Sequence, residues 1–178
     1  CADIEISHNQ ITDIGAGAIR IGHFFSWETD GSGQLTERGK QRKAAMPTGP
    51  HSQRITVADN VIAHCGRFTP EAMGVFVGDN ANNQIIHNHI YDLFQSAIAV
   101  GSVQDFGPSQ ARDNIIEYNH IHDVGQGMLS DVAGIYTCST PGTRIRYNRV
   151  HDVSRRDYGG WGIYPDEGSH DLLIENNL

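Results

Sequence analysis

Five short runs along the chain alternate apolar with polar or bulky residues: "AIRIG", "GVFVG", "AIAVG", "GIYTC" and "GIYPD". Their first aliphatic residues are Ile19, Val75, Ile98, Ile135 and Ile163. A period of two with β-branched residues predicts β-strands, and the helical period is not apparent. A second pattern precedes each run. An aliphatic residue stands three positions before an asparagine in "ISHN", "VADN", "IIHN", "IEYN", "IRYN" and "IENN", which gives Asn9, Asn60, Asn88, Asn119, Asn148 and Asn177. Two residues after the first five come Ile11, Ile62, Ile90, Ile121 and Val150, and five after come Ile14, Cys65, Leu93, Val124 and Val153.

The asparagines are spaced 51, 28, 31, 29 and 29 residues apart, a regular period broken by one insertion. Short in-register strands about 29 residues apart, joined by Gly- and Asn-rich turns, predict an all-β right-handed parallel β-helix (a pectate-lyase-like solenoid) of about six coils. Each coil is too thin to bury its own apolar face, so coils stack and share one core. The asparagines are expected to form a ladder, each amide bonding to the coils above and below. A β-sandwich or propeller does not require one Asn and several aliphatics at fixed offsets in successive units. One β-helix domain over residues 1–178 is therefore expected, with an inserted loop at about 23–54. Phe24 and Trp27 open that loop, and its basic run Arg38, Lys40, Arg42 and Lys43 reads as a solvated surface. The chain begins on "CADIEI" and stops on "ENNL" in mid-pattern, so it is expected to be a piece of a longer protein whose flanking coils are missing.

The formal charge of −8 disfavours nucleic acid and acidic membrane surfaces as partners. No apolar run approaches the roughly 20 residues of a membrane-spanning helix. Cys1, Cys65 and Cys138 form neither a CxxC nor a Cys/His metal spacing, and Cys65 reads as a core thiol. His89 and His120 share one repeat offset and His122 and His151 another, which predicts stacked surface or turn residues and no metal site. Asp92, Asp123 and Asp152 share a turn offset. No cofactor is expected.

The chemistry sits where the repeat fails. Tyr136 and Tyr164 occupy an outward slot that holds Arg20, Phe76 and Ala99 in earlier coils. Asp166 takes a position held elsewhere by Gly22, Gly78, Gly101 and Cys138, with Glu167 beside it and Asp131 ahead of the preceding strand. Glycoside cleavage needs two carboxyl groups, one protonated to donate to the leaving oxygen and one ionised to attack or to activate water. Burial near Trp161, Tyr136 and Tyr164 would raise one pKa above the other. The competing reading is that Asp166 and Glu167 merely cap a turn, for which "DEGS" is well suited. Removing one 28-residue coil leaves Asp131 and Asp166 seven positions out of register. Along a straight strand that is about 23 Å. Pairing them requires the loop before Gly134 to fold back.

"GPSQARDNIIEYNHIHDVGQGMLSDVAGIYT", "PGTRIRYNRVHDV" and "YGGWGIYPDEGS" together resemble the right-handed parallel β-helix proteins around glycoside hydrolase family 141, which includes α-L-fucosidase and xylanase activities on plant cell-wall polysaccharides. The likeness runs from about Ile55 to the C-terminus and is strongest from Gly107 onward. It implies two catalytic aspartates on neighbouring coils, Asp131 in "LSDVAGIYT" and Asp166 in "GIYPDEGS", and a secreted or periplasmic location. The sequence reading is thus a glycoside hydrolase for plant cell-wall or related polysaccharides. Asp131 and Asp166 are its catalytic pair, and Glu167, Tyr136, Tyr164 and Trp161 meet the substrate. Two other readings stay open on the same scaffold: a polysaccharide lyase, and a non-catalytic glycan-binding or structural β-helix.

Overall fold

The computed structural model describes residues 1–22, 34, 36–44, 52–101 and 109–178. The first coil consists of β1 (Ala2–Ser7), β2 (Gln10–Thr12) and β3 (Ile19–Ile21). After α1 (Glu37–Ala44) the second coil is β4 (Gln53–Ala58), β5 (Val61–Ala63) and β6 (Val75–Val77). The third is β7 (Gln84–Ile86), β8 (His89–Leu93) and β9 (Ile98–Val100), and the fourth β10 (Ile115–Glu117), β11 (His120–Val124) and β12 (Ala133–Thr137). The fifth is β13 (Arg144–Arg146), β14 (Arg149–Val150) and β15 (Trp161–Pro165), and β16 (Leu173–Glu175) opens a sixth. These stack into three parallel sheets, ordered β1-β4-β7-β10-β13-β16, β14-β11-β8-β5-β2 and β15-β12-β9-β6-β3. The architecture is the expected right-handed parallel β-helix. It has three strands per coil, where the sequence pattern shows two strand signals.

The asparagine ladder is present at atomic detail. The Asn119 Oδ1 accepts from both the backbone N–H and the Nδ2 of Asn88, each at 3.0 Å. In turn the Asn119 Nδ2 donates to the Asn148 Oδ1 at 2.9 Å and to the Ile85 carbonyl at 2.9 Å. The same bond to the next amide is made at Asn9, Asn60, Asn88 and Asn148, which carries the chain of amides to Asn177. Each ladder Asn follows one residue in the left-handed region: His8, Asp59, His87, Tyr118, Tyr147 and Asn176 have φ between 55° and 58°. These two residues make the whole corner between the first and second sheets in every coil.

A left-handed backbone costs a bulky residue roughly 1–2 kcal/mol, and stacking offsets it here. His87 stacks on Tyr118 at 4.9 Å and Tyr118 on Tyr147 at 5.0 Å between ring centroids. Asp13, His64, Asp92, Asp123 and Asp152, at the end of the second-sheet segment, are likewise left-handed. Their turn role is therefore a backbone requirement. A second, shorter ladder is not apparent from the sequence pattern. The fully buried Asn83 donates to Asn114 Oδ1 at 2.9 Å, and the Asn114 backbone N–H reaches Thr143 Oγ1.

Inward residues repeat by type. Ile85, Ile116 and Ile145 line the first sheet, Ile62, Ile90 and Ile121 the second, and Val75, Ile98 and Ile135 the third, all without solvent exposure. Each such side chain contributes about 1.5–3 kcal/mol on burial. Cys65 joins this core as expected, burial raises its thiol pKa, and none of the three cysteines forms a disulfide.

The insertion departs from the expected loop. It carries α1, capped by the Thr36 hydroxyl accepting from the Gly39 N–H at 3.0 Å, with a Lys40–Glu37 ion pair. Its polar sequence masks the helix from an apolar-period reading. Phe24 and Trp27 lie outside the described residues, as do the side chains of Arg42 and Lys43.

The ladder generates a stability prediction. Asn119→Ala strands the Ile85 carbonyl and the Asn88 donors in the interior, so it is expected to cost at least about 3 kcal/mol. Asn9→Ala, at an exposed rung, is expected to cost under about 1.5 kcal/mol. Denaturant unfolding of the two variants measures the difference, and equal losses would contradict this account of the ladder.

Candidate functional site

The register of the third sheet places Arg20, Phe76, Ala99, Tyr136 and Tyr164 in one outward row. Asp166 directly follows β15, and its N–H donates to the Thr137 carbonyl at 2.8 Å, which locks it one coil from Cys138. The Tyr136 hydroxyl donates to Asp166 Oδ2 at 2.5 Å. The acid that breaks the repeat is thus held by the tyrosine that breaks it one coil earlier.

Asp131 reaches the same place by a different route. Gln126, Gly127 and Asp131 are all in the left-handed region, at φ of 48°, 69° and 62°. The segment they shape runs alongside residues 156–161 of the next coil. The Asp131 N–H donates to the Tyr158 carbonyl at 2.7 Å, the Arg156 N–H to Leu129 at 2.9 Å and the Trp161 N–H to Val132 at 3.2 Å. Gly159 is what permits this approach. A Cβ there would stand 2.9 Å from the Asp131 Cα and 2.8 Å from the Trp161 ring.

Tyr164 lies among the groups that hold the two acids: Tyr136, which donates to Asp166, packs against its ring, and the charges of Asp166 and Asp131 both act on its phenol. Burial first, and then the negative charge of Asp166, pushes the Asp131 carboxyl above its ordinary value, while the Tyr164 hydrogen bond offsets part of that rise. The Tyr164 phenol is pushed up too, by its hydrogen bond with Tyr158, by burial, and by Asp166 and Asp131. Trp161 packs on Tyr164 with ring centroids 4.1 Å apart, and Tyr136 meets Tyr164 edge to face at 5.2 Å.

The structure brings together five of the six residues singled out from sequence and leaves one outside. Glu167 is exposed and, among the described residues, makes no side-chain hydrogen bond or ion pair. It belongs to the turn closed by the Ser169 N–H on the Asp166 carbonyl at 3.0 Å. "DEGS" is a turn, as the competing reading expects, and Glu167 stands in it without capping it. Tyr158 is a member of the cluster that sequence reasoning does not pick out. Its hydroxyl lies 3.4 Å from that of Tyr164, and its ring meets Trp161 edge to face at 5.1 Å. The available signal is the aromatic in "YGGW", immediately ahead of the glycine that admits Asp131.

Elsewhere on the third-sheet side, a cavity of about 710 Å³ is lined by Arg20, Phe76, Met73 and Gln95. On the second sheet, His89, His120 and His122 place one ring nitrogen each within 4.8 Å of one another. The expected stacking is seen, but the expectation that no ligand set converges on these histidines is corrected by this geometry.

The raised Asp131 pKa carries a sign. The fold favours the protonated acid, so this stability is fully present below the unfolded pKa of about 3.9 and is lost as pH rises through the folded value. Asp131→Asn keeps the shape and removes the charge. Its melting temperature is expected to exceed that of the parent at neutral pH, with the gap closing as pH falls toward about 3. Thermal unfolding across that range measures this, and a gap that widens on acidification would overturn it.

A solved structure described as a glycoside hydrolase is similar to this chain, with a TM-score of 0.75 at 17% identity over 97% of its residues. The chain spans 32% of that structure's length, and the similarity is one of fold. No curated protein matches the sequence. Residues 1–178 match the family described as the right handed beta helix region, and the chain belongs to that family.

Proposed function

We propose that this β-helix is a glycoside hydrolase in which Asp131 is the general acid and Asp166 the base or nucleophile. The observation that carries the reading is that two acids from successive coils are held within one tyrosine cluster, Asp166 by the Tyr136 hydroxyl and Asp131 by its backbone bond to Tyr158, with the charge of Asp166 adding to the burial that raises the Asp131 carboxyl. Glycosidic cleavage asks for one carboxyl to donate to the departing oxygen while the other attacks the anomeric carbon or activates water. Asp166 accepts from Tyr136, which fixes the direction of its carboxylate. Trp161, Tyr164 and Tyr158 supply ring faces and hydroxyls suited to a sugar, while Glu167 is left to the turn.

The substrate would lie at the Tyr164 end of the outward row, because Phe76 and Ala99, which lead from it toward Arg20, are buried. The similarity to a glycoside hydrolase structure supports cleavage of a glycosidic bond, and the sequence resemblance to family 141 points to a plant cell-wall polysaccharide met outside the cytoplasm.

Turnover of cell-wall oligosaccharides tests the reading. Asp131→Asn and Asp166→Asn are each expected to lower kcat by about 10²–10⁴-fold, whereas Glu167→Gln stays near the parent. Because the acid must be protonated, the rate is expected to fall as pH rises through the Asp131 pKa. Retained turnover in both aspartate variants would end the hydrolase proposal. Products with the ultraviolet absorbance of an unsaturated sugar would replace it with a lyase.

A further inference from the structure

Stacking is part of the geometry of the second-sheet histidines. His89 lies on His120 at 4.9 Å and 6° between planes, and His122 on His151 at 5.1 Å and 4°. Stacking does not account for where their nitrogens point. His89 Nε2 meets His122 Nε2 at 2.8 Å, and His120 Nε2 meets His151 Nε2 at 2.9 Å. Both contacts run diagonally, from one column of rings to the other and from one coil to the next.

A second layer orients two of these rings. His122 Nδ1 lies 2.7 Å from Asp123 Oδ2, and His151 Nδ1 lies 2.7 Å from Asp152 Oδ2. A carboxylate at Nδ1 holds the proton there and leaves the Nε2 lone pair free, which is the arrangement that supports imidazole ligands at metal centres. His89 and His120 then donate from Nε2, and transfer of that proton to Nδ1 frees their lone pairs as well. Asp123 and Asp152 also occupy left-handed corner positions, so the fold fixes them independently of the histidines.

We propose that His89, His120 and His122 bind one divalent transition-metal ion, joining β8 to β11 across two coils. The three Nε2-bearing rings are half-buried, and the ligand nitrogens lie within 4.8 Å of one another. Metal–nitrogen bonds of about 2.0–2.1 Å place tetrahedral ligands about 3.3 Å apart. Opening the 2.8 Å pair and closing the widest one by small ring rotations meets that requirement. The fourth position faces solvent. An all-imidazole donor set selects zinc, copper or nickel over magnesium or calcium, which prefer oxygen.

The charges around the cluster agree with this. The Asp123 and Asp152 carboxylates each lie 2.7 Å from a ring nitrogen of the cluster and bring negative charge to it. Arg149 opposes a cation beside His120, and the carboxylates of Asp123 and Asp152 offset it. The site lies on the second sheet and shares no residue with the acid pair on the third, so it stands whatever the outcome for the hydrolase.

Calorimetric titration of the whole chain with zinc chloride at neutral pH tests the proposal, in a Cys1→Ser background that removes the exposed thiol. One equivalent is expected to bind with micromolar or tighter affinity and to raise the melting temperature, while magnesium and calcium do neither. His89→Ala and His122→Ala each abolish the stoichiometric event, and His8→Ala, outside the cluster, leaves it intact. Asp123→Asn keeps every ligand and is expected to weaken binding about 10- to 100-fold. Absence of zinc binding by the parent, or equal binding by the parent and the His89 and His122 variants, would overturn the site.

Discussion

A buried carboxamide that bonds to its own kind in the next coil is the constraint on which the molecule depends. Each interior ladder Asn satisfies a backbone N–H, a backbone carbonyl and a neighbouring amide in a place where water cannot. A slip by one residue would turn every side chain to the opposite face and leave those groups unpaired. Register is therefore fixed far more tightly than three-residue strands could fix it by their own hydrogen bonds. The left-handed residue before each Asn follows from the same demand, because it turns the chain so that the amide points inward. The isoleucine columns then fall into place, with like residue on like.

A frame so rigid lets loops carry chemistry. Asp166 gains its position from a strand end, and Asp131 from a loop tied by backbone hydrogen bonds to the following coil. Neither depends on the other for placement, so two negative charges can be kept close despite their repulsion. Burial and, after it, the charge of Asp166 raise the Asp131 pKa, and Tyr164 offsets part of the rise. Tyr136 holds Asp166, and Trp161 and Tyr158 pack beside Tyr164. Such a supporting layer separates a positioned pair of acids from two that merely lie near each other.

The solenoid was legible in the sequence because its governing constraint is periodic and chemically distinctive. Few architectures besides stacked coils call for an asparagine at a fixed distance from three aliphatics in unit after unit. The second ladder, Asn83 and Asn114, is harder to see because it spans fewer rungs and ends on Thr143. The additional sheet was hidden because short strands such as β10 and β13 show one buried aliphatic each, Ile116 and Ile145. At the site, register alone located Asp166, Tyr136 and Tyr164. Asp131 could be named but not placed, since its position depends on three left-handed turns. Glu167 was grouped with the site because it adjoins Asp166, yet it falls in the turn that follows β15, where its side chain is exposed. The histidine convergence was invisible for a related reason: it pairs one repeat offset with another, and a reading column by column never compares them.

The corner between the first and second sheets is two residues long in every coil, whereas the other connections range from a few residues to the segment containing α1. Across the longest of them, Ile19 still pairs with Val75. Loop closure grows only slowly more costly with length, so one hinge of the triangle can stay invariant while the remaining two accept new sequence. Such a body can diversify by grafting at those two vertices, acquiring new specificities while its interior goes on being copied unchanged.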